Sequence, residues 1–309
     1  GALMAWLLTE QVLLPLRDVT TGIEAIARRD FRHRVPVRST DELGDIAGLM
    51  NRVTEGMRDL EVARVVQESL LPAEGIMVGE FEIAGISRAM TDIGGDYFDY
   101  TVIGDSHLVG LVGDVAGHGV SAALIMGMAK SAFSLLARSD QPLDAFVTAF
   151  NELLVSQGVK RKHMMTMFCF ALDLKTGQLD VLNSGHNFPF HFKAELGTAQ
   201  EIEIVGHPLG VRKKIVLKRG RLELGPGDAL VLYTDGLIES RNTAGVVIGY
   251  QRLAGWIADH ASRPGKNAKQ VAGAIFDAFD EFIGAEPAGD DVTVVCLRRC
   301  PLVTGGGNV

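Results

Sequence analysis

Aspartates recur beside glycines where apolar runs end, and carboxylates placed in this way can hold a metal ion. Four stretches carry them: "GGDYFDY" with Asp96 and Asp99, "GDVAGHG" with Asp114, "YTDGLIES" with Asp235, and "AGDDVTVV" with Asp290 and Asp291. Taken singly, each Gly-Asp or Asp-Gly pair is typical of a turn in which the aspartate caps its own backbone. Four clusters at strand ends instead predict carboxylates that converge. An oxygen-rich set without His or Cys ligands favours Mg²⁺ or Mn²⁺.

Buried carboxylates of this kind need a partner, because an unpaired charge in an apolar environment is costly. The nearest basic candidates are Arg88 and Arg241, too few to neutralise all the clusters. Glycine in each cluster lets the backbone turn sharply and approach a bound ion closely. Metal ions are therefore the predicted partners.

The composition is that of a globular protein with an acidic excess. Of its 309 residues, 47% are hydrophobic and 22% are charged, which is enough apolar material for a buried core. The net charge of −8 argues against a broad basic surface, so no nucleic-acid partner is expected. The three cysteines, Cys169, Cys296 and Cys300, form no CxxC pair, which is typical of reduced thiols in a cytosolic protein.

The N-terminal part of the chain is predicted to be helical. A first apolar series is spaced by three or four positions: Leu16, Val19, Ile23 and Ile26. After a break at Pro36, a second series forms a regular heptad seam: Leu43, Ile46, Met50, Val53, Met57 and Leu60. Ser39 or Thr40 is the expected N-cap of the second helix. Two short helices do not make a stable bundle alone, so we expect a homodimer of four helices.

From Phe81 onward, short apolar strands separated by glycine-rich turns outnumber helices. Helices are predicted near 119–138, 143–156, 250–261 and 267–284. The stretch "TMFCFALDLKTGQLDVLNSG" indicates a β-hairpin that turns at "KTGQ". Because several strands follow one another directly, the predicted fold class is α+β with mostly antiparallel sheets, rather than a doubly wound βαβ fold.

Three features of the N-terminal part resemble a HAMP domain, the signal-relay module found just inside bacterial membranes. They are Pro15 at the start of the first helix, "VPV" in the connector and "DELG" at 41–44. The resemblance implies an all-α parallel coiled-coil dimer over 15–60, followed by a linker or switch helix over 61–75. It also implies a membrane anchor upstream, with residues 1–14 as a transmembrane-helix stub. We then expect the full-length protein at the cytoplasmic face of the bacterial inner membrane, and the present chain to be soluble.

Seven stretches in the C-terminal part resemble the metal-dependent Ser/Thr protein phosphatases (PPM family), in their bacterial SpoIIE/RsbU branch. In chain order they are "QESLLP", "GGDYFDY", "GDVAGHG", "NSGHNFPF", "GHPLG", "YTDGLIES" and "GDDVTVV". The resemblance implies a phosphatase domain over 76–300 and a flexible tail over 301–309. It further implies an α-β-β-α sandwich with a two-metal centre at one edge of the sheets.

The same resemblance assigns ligands to individual residues. Asp114 resembles the ligand that bridges both metals, and the Val115 carbonyl would bind one of them. Asp235 and Asp290 resemble ligands of the first metal, while Asp96 would bind the second directly or through a water. These four aspartates are the expected catalytic residues. The two ions, Mn²⁺ or Mg²⁺, would activate a water for in-line attack on phosphorus.

Three further residues are expected to orient the ligands without binding metal: Asp291, Glu239 and Gly95.

Two positions depart from the eukaryotic members of the family. Thr91 stands where those proteins have an arginine that clamps the phosphate, and Ala116 stands where they have a histidine. The SpoIIE/RsbU branch resembles this chain in both absences, so activity is still expected.

The predicted function is a protein serine/threonine phosphatase regulated by HAMP dimer signalling. The branch usually acts on STAS-type anti-sigma-factor antagonists, so a phosphorylated protein of that type is the expected partner. One alternative is a catalytically silent signalling adaptor that binds a partner through the phosphatase fold. A remote alternative is a diguanylate cyclase, because "GGDYFDY" resembles the GGDEF signature. Tyr97 in place of the acidic fourth residue argues against the cyclase.

Overall fold

The computed structural model describes residues 1–91, 93–138, 141–156 and 164–301. All but the first residue of the predicted tail over 301–309 therefore lies outside the described residues. The chain divides into two compact units, 1–66 and 67–309, and each has its own architecture.

Helices dominate the first unit, and both helices and strands build the second. The helices are α1 (Ala2–Leu8), a π-helical turn (Thr9–Leu13), α2 (Leu14–Ala27), α3 (Glu42–Glu68), α4 (Val120–Leu136), α5 (Leu143–Ser156), α6 (Asp235–Glu239), α7 (Gly249–Ala261) and α8 (Ala268–Ile283). The strands are β1 (Ile76–Val78), β2 (Phe81–Arg88), β3 (Asp96–Ile103), β4 (His107–Val115), β5 (Met165–Asp173), β6 (Gln178–Ser184), β7 (Phe190–Lys193), β8 (Thr198–Glu201), β9 (Arg219–Glu223), β10 (Ala229–Tyr233) and β11 (Val292–Arg299). The four helices predicted for the C-terminal part are confirmed as α4, α5, α7 and α8.

In the first unit, the connector between α2 and α3 is fastened to α3 by Asn51. The side-chain amide of Asn51 exchanges two hydrogen bonds with the backbone of Val35, both at 2.9 Å. Gly22 in α2 leaves room for Val35, because a Cβ at Gly22 would lie 2.4 Å from the valine side chain.

Within the described residues, no helix is long and apolar enough to cross a bilayer.

The N-terminal cap of α3 differs from the prediction. Asp41, rather than Ser39 or Thr40, accepts the backbone N–H groups of Leu43 and Gly44, at 3.1 and 3.2 Å. Ser39 donates its hydroxyl to the same carboxylate oxygen. A carboxylate suits this position because it accepts several donors and complements the positive end of the helix dipole.

Two antiparallel sheets face each other in the second unit. One has six strands in the order β1-β2-β11-β10-β7-β8, and the other has five in the order β3-β4-β5-β6-β9. Apolar side chains from both sheets fill the space between them, among them Phe98, Phe168 and Leu232. Helices α7 and α8 pack on the outer face of the six-stranded sheet, and α4 and α5 pack on that of the five-stranded sheet. The predicted α-β-β-α sandwich is therefore confirmed.

Local sequence explains where several of these elements turn or begin. In the predicted β5–β6 hairpin, the Asp173 carboxylate accepts two N–H groups of the turn, and Gly177 adopts a φ of 77°. Helix α8 begins with a capping box in which Asn267 and Gln270 exchange side-chain to backbone hydrogen bonds. These local devices fix the lengths of the elements that pack around the core.

The sheets place the predicted catalytic aspartates at one edge of the sandwich. Asp96 is the first residue of β3 and lies directly opposite Asp114 of β4. Asp235 follows β10 at the start of α6, and Asp290 precedes β11, the neighbour of β10. Thr234, at the end of β10, donates its hydroxyl to Asp96, so the strand ends of both sheets meet there.

Candidate metal centre

The predicted catalytic carboxylates repel one another. Burial first, and then the charges of Asp235, Asp290 and Asp291, raise the pKa of Asp114 to about 7. Burial and then Asp114 raise the pKa of Asp96. Burial and then Asp290 raise the pKa of Asp235. Carboxylates raise each other's pKa only when they lie close together, so a divalent cation among them would relieve the repulsion.

Two threonine hydroxyls hold one oxygen of Asp96. Thr234 donates to Oδ2 at 2.7 Å, and Thr293 of β11 donates to the same oxygen at 2.6 Å. Thr234 also accepts the backbone N–H of Thr293 at 3.0 Å, so the two threonines are fixed relative to each other. Both hydroxyls donate to Oδ2, and neither donates to Oδ1. These two hydrogen bonds therefore fix the orientation of the Asp96 carboxylate.

Thr234 and Thr293 were not predicted as functional residues, although the sequence carries a signal for them. Each is a threonine at the end of, or within, a mostly apolar run, "LVLYTDG" and "VTVVCL", close to a predicted ligand. Both are fully buried, at 0% exposure. A buried hydroxyl must find a hydrogen-bond partner, and the carboxylate at the neighbouring strand end supplies it.

We expect Thr293→Val to weaken Mn²⁺ binding by about 10- to 100-fold, the usual cost of removing a group that orients a metal ligand. Valine keeps the shape of threonine but cannot donate to Asp96. Thr293→Ser keeps the hydroxyl and is the matched control, so its affinity should stay near that of the wild type. Titration calorimetry measures both variants. Equal weakening in the two would show that packing, and not the hydroxyl, matters.

The Asp291 carboxylate is buried and accepts hydrogen bonds from two backbone N–H groups. Its Oδ1 accepts the N–H of Met90 at 2.7 Å, and its Oδ2 accepts the N–H of Gly95 at 2.6 Å. Across the β3–β4 ladder, Val115 donates its N–H to the Gly95 carbonyl at 3.2 Å. The Gly95 N–H goes to Asp291 and does not return to the Val115 carbonyl. Asp291 thereby draws a backbone donor away from the carbonyl that is the predicted metal ligand.

Gly95 lets the chain pass close to two predicted ligands. A Cβ at this position would lie 2.7 Å from the Val115 carbonyl oxygen and 3.3 Å from Oδ1 of Asp114. The Gly117 carbonyl oxygen would be 3.1 Å away. The volume that a methyl group would fill is thus lined by oxygen atoms, which agrees with the role expected of Gly95.

Asp290 and Glu239 are the exposed carboxylates of the group. Asp290 accepts the backbone N–H of Asp291 through Oδ1 at 2.8 Å, which fixes it at the start of β11. Glu239, at the end of α6, contributes to the raised pKa of Asp235 after burial and Asp290. Both side chains therefore border the cluster from the solvent side.

Asp99 does not join this group, although it belongs to the same stretch as Asp96. It lies inside β3, three residues from Asp96, and an odd spacing along a strand places two side chains on opposite faces. Asp99 accepts hydrogen bonds from Tyr97 and from Lys130 of α4, each at 2.7 Å. The expectation that Asp99 stands with the other carboxylates at a strand end is wrong. It ties α4 to β3.

The donor chemistry of the site fits a hard divalent cation. Arg88 is paired with Asp280 at 2.6 and 3.0 Å, and Arg241 donates to the Gly245 carbonyl at 3.0 Å, so both arginines are engaged elsewhere. The atoms that remain available to a metal ion are carboxylate and carbonyl oxygens, the ligands that Mg²⁺ and Mn²⁺ favour.

The side chains do not form a closed ligand set in this structure. Over the residues that the structure describes, no three His, Cys, Asp or Glu side chains are arranged so that they could hold a metal ion.

We predict that the metal-free protein loses stability as the pH rises toward 7. Asp114 has a pKa of about 7 in the folded chain against 3.8 as its ordinary value, so the folded state binds more protons in this window. The free energy of unfolding therefore falls with rising pH between these values. Thermal unfolding in a chelator, followed across this range, measures the slope.

Two comparisons test the assignment of this slope to the carboxylates. Asp114→Asn lacks the titration and should show a shallower decline. Saturating Mn²⁺ should flatten or reverse the decline in the wild type, because the ionised carboxylates gain a partner. Equal slopes in the variant and the wild type would assign the pH dependence to other groups.

Comparison with known proteins identifies both parts of the chain. The family model described as Stage II sporulation protein E (SpoIIE) matches residues 104–300, which is more than half of the chain. The chain belongs to the SpoIIE family. A HAMP domain model matches residues 7–59, so this SpoIIE-family domain follows a HAMP domain, as the sequence motifs predicted.

Individual relatives agree with this assignment. IcfG from Synechocystis sp. is 23% identical over 96% of this chain and 53% of its own length. The phosphoserine phosphatase RsbU from Bacillus subtilis is 26% identical over 78% of this chain and 70% of its own length. The SiaA-PP2C domain of Pseudomonas aeruginosa matches with a TM-score of 0.65 at 23% identity, over 81% of this chain and 98% of that domain. The chain thus has the PP2C fold and spans about half the length of IcfG.

Proposed function

We propose that this SpoIIE-family chain is a metal-dependent protein phosphatase that hydrolyses phosphoserine or phosphothreonine on a partner protein. The observation that carries the proposal is the placing of Asp96 opposite Asp114, with Asp235 and Asp290 raising the pKa of the group from the other sheet. The similarity to a relative named phosphoserine phosphatase supports the same reaction.

The metal ligands proposed for this reaction are Asp96, Asp114, Asp235, Asp290 and the Val115 carbonyl. Two divalent cations, Mn²⁺ or Mg²⁺, are the proposed cofactors, since both prefer oxygen ligands. When bound, such ions polarise phosphoryl oxygens and lower the pKa of water enough to make it a nucleophile near neutral pH.

The chain's own residues orient the ligands and set the charge of the site. Thr234 and Thr293 fix Asp96, and Asp291 fixes the backbone of Gly95. The carboxylates by themselves repel a phosphate dianion, because like charges at short range are unfavourable. The substrate phosphate therefore binds only when metal ions are bound to these carboxylates, which couples phosphate recognition to metal binding.

The proposed substrate is a phosphorylated STAS-type anti-sigma-factor antagonist. The support for it is the similarity to RsbU and the SpoIIE family assignment. Incubation of such a phosphoprotein with the chain and Mn²⁺ should release inorganic phosphate and convert the protein to its unphosphorylated mass. A folded chain that binds the phosphoprotein but leaves the phosphate in place with Mn²⁺ present would favour the alternative of a signalling adaptor.

We propose that the first unit forms a parallel homodimer and, in the full-length protein, lies near the cytoplasmic face of a membrane. The HAMP match supports both statements. Four seam residues of α3 are exposed in the single chain by 37–47%: Ile46, Val53, Met57 and Leu60. Apolar residues repeated along one helix face are stabilised by burial against a partner helix. A dimer would bury these four side chains.

The proposed route of regulation is the linker over 61–75, which is helical only as far as Glu68, where α3 ends, so the predicted linker helix is shorter than expected. Within the second unit, the Gln67 amide donates to the Gly94 carbonyl at 2.5 Å and contacts Sδ of Met126 at 3.2 Å. Gly94 precedes Gly95, which borders the predicted ligands. A shift of Gln67 would therefore move the loop that leads into Asp96. Unchanged activity in a chain cut down to 73–309 would count against this coupling.

A further inference from the structure

His186 lies in the loop after β6 and joins the two sheets. Its ring contacts the Thr166 hydroxyl of the five-stranded sheet through Nδ1 at 2.8 Å. It also contacts the Tyr233 carbonyl of the six-stranded sheet through Nε2 at 3.1 Å. The residue is buried, at 6% exposure. One side chain therefore spans the sandwich from sheet to sheet.

Each partner of the ring stands next to a predicted ligand in the fold. Thr166 is the register partner of Asp114 across β4 and β5. Tyr233 ends β10, two residues before Asp235. His186 thus links the residue facing Asp114 to the strand that leads into Asp235.

The contacts and the burial of the ring together indicate its protonation state. The Tyr233 carbonyl can only accept, so Nε2 must carry a hydrogen and donate it. Burial lowers the pKa of His186 to about 4, so the ring is neutral at pH 7. Nδ1 then carries no hydrogen and accepts the hydroxyl hydrogen of Thr166.

The loop that presents His186 is fixed by its own bonds. The Asn183 side chain accepts the N–H of His186 at 2.8 Å and donates to its carbonyl at 2.9 Å. Gly185 adopts a φ of 75°, and a Cβ there would lie 2.6 Å from the ring of Pro208. Gly206 passes so close that its Cβ would lie 1.9 Å from the Asn183 carbonyl oxygen. The ring is therefore held in place before any ligand binds.

We infer that His186 is a positioning residue of the metal centre, which sets the spacing between the ligands contributed by the two sheets. The inference rests on the proposed function, because it concerns the same ligands. Asp114 comes from one sheet and Asp235 from the other, and a rigid link beside both limits how far they can separate. A residue that acts in this way changes metal affinity, and not only stability.

A second buried histidine serves as a matched control. His191 in β7 is 3% exposed, and its Nε2 contacts the Asp228 carboxylate at 3.0 Å. It pairs with Leu230, toward the end of β10 away from Tyr233. Removal of either ring costs buried packing and a hydrogen bond. Of the two histidines, His186 is the one whose partners adjoin predicted ligands.

The test is calorimetric titration of the full chain with Mn²⁺, together with thermal unfolding in chelator. His186→Ala should bind Mn²⁺ about 10- to 100-fold more weakly than wild type, as expected for loss of a group that orients ligands. His191→Ala should unfold at a lower temperature but keep wild-type affinity. Should His186→Ala fail to fold, His186→Gln keeps most of the volume and a donor toward Tyr233, and an affinity loss is still expected from the missing Thr166 contact.

The outcomes separate the two proposals. Wild-type binding that His186→Ala and His186→Gln leave unchanged would overturn the inference alone, as would an equal loss in His191→Ala. Wild-type protein that binds no Mn²⁺ would overturn the proposed function and, with it, the inference.

Discussion

Asp114→Asn is expected to lower the Mn²⁺-dependent turnover of p-nitrophenyl phosphate by about 10³-fold, since metal stabilisation of the transition state is worth several kcal/mol and each ~1.4 kcal/mol is tenfold in rate. Asp114 is the proposed ligand of both ions, and asparagine removes its charge. The same change should raise the melting temperature of the metal-free protein near pH 7. It removes a partly buried carboxylate that Asp235 and Asp290 repel.

Asp114→Asn is expected to lower turnover but to raise the melting temperature, and this combination makes the prediction specific. A variant that loses activity because it is misfolded would lose stability as well. Asp180→Asn is the matched control, since Asp180 lies on β6 in an ion pair with Arg221 whose side chains are 55% and 66% exposed. Exposed pairs contribute little to stability, so activity and melting temperature should both stay near wild type. Retained turnover in Asp114→Asn would refute its role as a ligand.

Gly95→Ala is expected to reduce turnover by at least about 10²-fold, the order of loss that follows a misplacement of catalytic groups by roughly 1 Å. The new Cβ would lie 2.7 Å from the Val115 carbonyl oxygen, a backbone atom that no rotamer change can move away. It would also lie 3.3 Å from the Asp114 carboxylate. The proposed carbonyl ligand and the proposed bridging ligand would therefore be pushed apart.

Gly127→Ala provides the control for this change. Gly127 lies in α4, and a Cβ there would meet nothing within 4 Å. Alanine in a helix interior is more favourable than glycine by about 1 kcal/mol, so this variant should be slightly stabilised and fully active. Initial rates and Mn²⁺ titrations compare the two variants. Normal Mn²⁺ affinity in Gly95→Ala would show that Gly95 does not border the metal ligands.

The parts of the fold that were predictable from the sequence are those governed by local pattern. Helix α8 carries its apolar face and its capping residues Asn267 and Gln270 within one continuous segment. The β5–β6 hairpin is specified by two short runs rich in apolar residues and a turn with Gly177 between them. The acidic clusters could be located because glycines and strand ends mark them in the sequence, whereas the choice of Asp96, Asp114, Asp235 and Asp290 as ligands is what the family resemblance implies. In each case the determining residues are close together along the chain.

The missed and mistaken residues depend on contacts between distant segments. Thr293 and Asp96 are 197 positions apart, and only the facing of two sheets brings them together. Asp99 shares a short stretch with Asp96, but β3 begins at Asp96 and Asp99 lies inside the strand. Since side chains alternate along a strand, an odd spacing reverses the face. Its partner Lys130 comes from another element, which no local pattern indicates.

The most direct test of the proposed metal centre is the initial rate of p-nitrophenyl phosphate hydrolysis by the wild-type chain, measured with Mn²⁺, after chelation, and after Mn²⁺ is restored. We predict turnover with Mn²⁺, its loss on chelation, and its recovery when the ion is added back. Turnover that persists unchanged in excess chelator would contradict a reaction that depends on ions held by Asp96, Asp114, Asp235 and Asp290.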